Sequence, residues 1–109
     1  MKTQTIGYLF GIIASLAHVS KAGADGHKNI MGNELELCSE EPMTGYWRDG
    51  YCKTNEHDQG SHTVCAEITD EFLEYTKSMG NDLSTPRGGF PGLKPGDKWC
   101  LCASRWLQA

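Results

Sequence analysis

The side chains of this chain best suited to chemistry are five cysteines and one histidine. Cys100 and Cys102 stand two apart in Trp99-Cys100-Leu101-Cys102-Ala103, while Cys38, Cys52 and Cys65 lie upstream. His62 precedes Cys65 by three residues. Thiols can pair into disulfides, bind a soft metal or act as nucleophiles once deprotonated. Three readings therefore stand side by side: buried cysteines acting as small hydrophobes, one or two structural disulfides, and a metal or redox-active thiol site. For a metal, Cys100, Cys102 and Cys65 supply three sulfurs, and His62 or Cys52 completes a tetrahedral set suited to zinc. The knuckle spacing of strong zinc signatures, Cys-x-x-Cys, does not occur. For catalysis, Cys65 or Cys100 would be the nucleophile and His62 its base.

These side chains have to be positioned by strands. Thr63 to Ile68 alternates and is rich in β-branched residues, which predicts a strand; Lys98 to Arg105 predicts another. Alternation puts Val64, Ala66 and Ile68 on one side of the first, and Trp99, Leu101 and Ala103 on one side of the second. If those apolar sides share a helix, Cys65, Cys100 and Cys102 share the opposite face. A bridge between Cys100 and Cys102 is disfavoured, because residues two apart on a strand lie roughly 6.6 Å apart with parallel Cβ vectors.

The helix is expected over 70–79. Thr69 can cap it, Asp70 and Glu71 suit its positive end, and Gly80 stops it. Phe72, Leu73, Tyr75 and Met79 form its apolar side. Asp49-Gly50, flanked by Tyr46-Trp47-Arg48 and Tyr51-Cys52-Lys53, predicts a β-hairpin over 46–53. Asn81 to Gly96, with three prolines and four glycines, predicts a long irregular loop of the kind that often carries function. The fold class is α+β: a small antiparallel sheet with one main helix on one face.

Other groups carry weaker signals. Arg48-Asp49 could bind an anion, although Asp49 also suits the turn itself. His57-Asp58 and Ser61-His62 are polar pairs in or beside a loop. Asn81 and Asp82 cap or turn the chain after the helix. Trp47, Trp99 and Trp106 are expected in the core.

Residues 1–24 read as a secretory leader: Lys2 is the basic flank, Ile6 to Val19 the apolar run, and Ala22-Gly23-Ala24 the small-residue cleavage site. Ser20-Lys21-Ala22 offers a second cut. Cleavage before Asp25 leaves one domain over 25–109 and a secreted or extracytoplasmic location. Losing Lys2 and Lys21 from 10 basic residues leaves 8 against 14 acidic ones, a net of −6. With no basic stripe, nucleic acid is not an expected partner. No segment beyond the leader is apolar enough to enter a membrane.

A family resemblance rests on ordered motifs. These are Thr44-Gly45-Tyr46-Trp47-Arg48-Asp49-Gly50-Tyr51-Cys52, Gly60-Ser61-His62-Thr63-Val64-Cys65-Ala66, Thr69-Asp70-Glu71-Phe72-Leu73, Gly80-Asn81-Asp82-Leu83-Ser84-Thr85-Pro86, Phe90-Pro91-Gly92-Leu93-Lys94-Pro95-Gly96-Asp97 and Trp99-Cys100-Leu101-Cys102-Ala103-Ser104-Arg105-Trp106. Over about Asn33 to Ala109 the chain resembles the mostly bacterial domain of unknown function 2237. The resemblance implies a small single domain, mostly cytoplasmic in relatives, with no established activity. The recurring polar and thiol positions are Cys38, Arg48, Asp49, Cys52, His62, Cys65, Asn81, Asp82, Asp97, Cys100, Cys102 and Arg105, none with a transferable role. Three departures stand out. Tyr51 replaces a cysteine usual in relatives, Arg87-Gly88-Gly89 is shorter and lacks an acidic residue, and relatives continue past Ala109. Cytoplasmic relatives shift the expectation away from a disulfide framework and the leader shifts it back.

The sequence thus supports an uncharacterised binding module for a ligand or metal, with the cysteine face and the 81–96 loop as its site. A thiol-dependent enzyme and a disulfide-stabilised secreted structural protein are the alternatives.

Overall fold

The computed structural model describes residues 24–109, so the expected leader lies, but for Ala24, outside the described residues. Two strands, β1 (His62–Glu67) and β2 (Lys98–Cys102), pair antiparallel. Between them lies helix α1 (Asp70–Ser78), and a short helix α2 (Ala103–Gln108) follows β2 directly. The α+β class read from the sequence is the one observed.

The register explains the core. Ala66 opposes Trp99 and Val64 opposes Leu101, so their side chains fall on one face of the sheet. There Ala66, Trp99 and Leu101 pack with Ile68, with Phe72 and Leu73 of α1, and with Leu93 from the long loop. Helix α1 begins as expected: the Thr69 hydroxyl accepts from the Phe72 amide at 3.1 Å, and Gly80 takes a positive φ of 95° just past the end. Its inward face differs from the expected one, and Tyr75 is only half-buried. Thr76 is buried and Met79 is 44% exposed, because Thr76 is held by Asn81, whose amide and side chain both bond to it.

Three elements depart from the sequence reading. Strand β2 ends at Cys102 rather than continuing to Arg105, and the chain turns at once into α2. The hairpin over 46–53 does not form. Asp-Gly needs strands on both sides that prefer each other, but here the segment pairs with the loop before it. Gly50 donates to Thr44 and accepts from Cys38, and the Asp49 carboxylate caps the Tyr51 amide. Gly45 is fixed at φ 103°, with the Tyr51 carbonyl so close that a Cβ would have no room. Lastly, the cysteine face of the sheet is not open. The 38–53 segment covers it, tied by disulfides Cys38–Cys65 and Cys52–Cys100 and by the Thr44 hydroxyl, which accepts from the Cys100 amide at 2.8 Å.

Trp99 is buried as expected, whereas Trp47 is 43% exposed. It lies edge-on to Tyr46 and His27, and Lys53 sits 5.3 Å from its ring centre. Among the described residues no helix is long and apolar enough to cross a membrane.

Candidate functional site

Cys65 and Cys100 face each other directly across the two strands. They do not bond to each other: Cys65 reaches back to Cys38, and Cys100 to Cys52. The odd thiol is Cys102, half-buried at the end of β2. Neither Cys65 nor Cys100 therefore holds the free thiol expected beside His62. The sulfur set Cys65, Cys100 and Cys102 is likewise divided between two bridges and a thiol. A different trio, Cys38, Cys52 and Cys65, has its sulfurs within 4.8 Å of one another. Cys38 stood among the positions recurring in the family but was not a candidate ligand, because its loop had no pattern placing it over the sheet.

His62 stands next to the free thiol because of an irregularity. Val64 opposes Leu101, so an even ladder would set Thr63 against Cys102; a bulge between His62 and Val64 sets His62 there instead. The His62 Nε2 lies 3.7 Å from the Cys102 sulfur. Its Nδ1 meets the Asp58 carboxylate at 2.6 Å, and the same carboxylate accepts from the His62 amide and the Thr54 hydroxyl. Asp58 is buried, and burial alone would raise its pKa; the hydrogen bonds from His62 and Thr54 outweigh this and hold it below the ordinary carboxylate range. Burial pushes the Cys102 thiol up, with Arg105 opposing and Asp58 adding to the shift. Asp58 was visible in the sequence only as part of a polar pair; the turn at Ser61, φ 49°, folds it back onto His62.

On the neighbouring surface a cleft of about 240 Å³ opens between the 45–48 turn, β2 and the start of the long loop. Trp99 and Phe90, edge-to-face at 5.4 Å, form its apolar wall. Arg48, His62, Asn81 and Arg87 supply polar groups. Arg48 has φ 56°, rare outside glycine, and its guanidinium lies 5.1 Å from the Trp99 ring centre while donating to the Gly45 carbonyl. Arg87 lies over the Phe90 ring and donates to the Asp82 carbonyl. Among the described residues neither guanidinium pairs with a carboxylate. Asp82 also lines the cleft, but its carboxylate is taken by the Ser84 and Thr85 amides and the Thr85 hydroxyl, which lower its pKa.

The cleft thus gathers Arg48, His62, Asn81 and Asp82, together with Cys100, from four separate segments. Arg87 and Phe90 from the 81–96 loop, and Trp99 from the core-facing side of β2, join them, although the sequence singles out none of the three as a binding residue. Cys52, Cys65 and Cys102 do not line it, and two polar candidates also lie elsewhere. Asp49 pairs with buried Lys53 at 2.7 Å, and Arg105 donates to the Met79 carbonyl and to Gln108, fastening α2 to the end of α1.

Fold and site together define a small α+β domain, double-bridged on one sheet face, with an arginine-lined cleft at its edge. The chain belongs to the family of uncharacterised proteins conserved in bacteria, domain of unknown function 2237, whose model matches residues 28–109. No curated protein matches it.

Proposed function

We propose that this domain is a binding module for small oxyanions, phosphates or carboxylates, held in the Arg48–Arg87 cleft. The observation that carries the reading is two guanidiniums at one cleft with no carboxylate partner among the described residues. Guanidinium favours bidentate pairing with planar or tetrahedral oxyanions. Trp99 and Phe90 hold each arginine over a ring, which lowers the entropy lost on binding. The volume sets the size class: about 240 Å³ lies below the roughly 300–1,000 Å³ of drug-sized pockets. Calorimetric titration with inorganic phosphate and with benzoate separates the two anion types. Arg48→Ala and Arg87→Ala should each weaken the preferred one by about tenfold or more, equal to about 1.4 kcal/mol. Binding left unchanged in both variants would remove the proposal.

A second reading concerns the bridged sulfurs. In the bridged form the sulfurs of Cys38, Cys52 and Cys65 lie within 4.8 Å of one another, so reduction of both disulfides would release these three thiolates, and Cys100 with them, as ligands for zinc. We also propose that residues 1–24 are a leader and that the mature domain, beginning at Asp25, works outside the cytoplasm. Two disulfides in one small domain support an oxidising compartment. N-terminal sequencing of exported protein should read Asp25 first; an intact Met1 would contradict this.

A further inference from the structure

We propose that Cys102, His62 and Asp58 form a thiol-exchange site at which Cys102 attacks low-molecular-weight disulfides. The proposal rests on geometry. Asp58 accepts from Nδ1 of His62 at 2.6 Å, which places the neutral ring's proton on Nδ1 and leaves Nε2 as an acceptor. That acceptor lies 3.7 Å from the thiol, a distance at which a sulfur still hydrogen-bonds. The bulge in β1 is what brings His62 opposite Cys102.

Gly60 supplies an independent observation. Its φ is not in the left-handed region, so the backbone does not demand a glycine. A Cβ there would lie 2.7 Å from His62 Cε1 and 2.9 Å from the Cys102 sulfur. The missing side chain is therefore what lets the pair close up. The imidazole also stacks against Tyr46, with ring centres 6.4 Å apart.

The step balances as follows. As Cys102 Sγ attacks one sulfur of a disulfide RSSR, His62 Nε2 takes the thiol proton. A Cys102–S–S–R bond forms, the R–S–S–R bond breaks, and the departing thiolate takes the proton from His62 and leaves as RSH. The disulfide is reduced and Cys102 is oxidised. Burial keeps the resting thiol protonated, so the base is needed in the step itself. The groups facing the pair are Asp58 and Tyr46 from the loops, Arg105 from α2, and Arg48 across the cleft.

The test is reaction of the native, doubly bridged chain with 5,5′-dithiobis(2-nitrobenzoate) and with oxidised glutathione, followed by absorbance and peptide mapping. One mixed disulfide per chain should form, at Cys102, and Cys102→Ser should abolish it. His62→Asn should slow the reaction about 10- to 100-fold near pH 7. Asp58→Asn keeps acceptors for the His62 amide and Thr54 but presents an N–H₂ to Nδ1. That reverses the tautomer, so this variant should slow to a similar extent while its circular dichroism stays native. The wild-type pH–rate profile should carry an inflection on its acid side that both variants lose. A rate and profile in His62→Asn equal to wild type would overturn the proposal. So would modification falling on another cysteine, or a wild-type profile following thiol ionisation alone, which needs no variant to fold.

Discussion

Single residues in this chain are held by partners that the sequence does not place next to them. Lys53 is the clearest case: buried, it meets Asp25 at 2.8 Å and Asp49 at 2.7 Å. Burial would lower its pKa, but hydrogen bonds to the two carboxylates prevail and raise it. A raised lysine stabilises the fold fully below its unfolded value of about 10.4 and loses that contribution as pH climbs through the folded value. Lys53→Met should therefore cost about 1–2 kcal/mol in urea unfolding at pH 7, with the gap from wild type shrinking as pH rises above the ordinary lysine range. A gap that stayed constant with pH would contradict the ion-pair account. Asp58 behaves in the opposite sense. Its lowered pKa gives stability that is present above about pH 3.9 and lost as pH falls below it. Neither role was legible from the chain. Lys53 carried no signal beyond its place in an expected hairpin, and Asp49 read as a turn former, because the Asp25 partner is 28 positions away.

At the scale of elements, local chemistry was readable wherever it acted locally. The Thr69 cap, the Gly80 stop, a strand expected over 63–68 and found one residue earlier at 62–67, and the start of β2 all follow from residue type and period. Side-chain alternation places the packed pair as well: Ala66 and Trp99 face the core, and Cys65 and Cys100 face away from it. What failed was the 46–53 hairpin, where an Asp-Gly signal was overridden by bonds from Gly50 to Thr44 and Cys38. The bulge was equally hidden, since nothing in His62-Thr63-Val64 marks one, yet it decides which side chain meets Cys102. Thr69→Ala should lower stability by about 1 kcal/mol. Phe72→Ala, at the centre of the core, should lower it by about 3–5 kcal/mol. Chemical denaturation that found the two equal would contradict the packing described.

For the molecule as a whole, the bridges settle what a modest core leaves open. They join positions 27 and 48 apart in sequence, and in a chain-entropy treatment each contributes about 3.5–4 kcal/mol. Five cysteines showed that bridging was available, and their odd number showed that one must be left over. Which one, and which pairs, depended on the 38–53 segment folding across the sheet, a long-range event with no local trace. Reduction of the full chain should therefore lower its melting temperature sharply and create a zinc-binding site that the oxidised chain lacks. Equal zinc uptake by the oxidised chain, measured by elemental analysis after dialysis, would contradict that reading.

The claim on which the account turns is that the cleft between the 45–48 turn, β2 and the long loop receives an oxyanion. Nuclear magnetic resonance titration of the ¹⁵N-labelled chain with phosphate, and in parallel with benzoate, addresses it directly. Saturable shifts are expected, concentrated at the Trp99 indole, the Asn81 side chain and the Arg48 and Arg87 guanidinium signals. Shifts scattered over the surface lysines, or none at all up to millimolar anion, would contradict it.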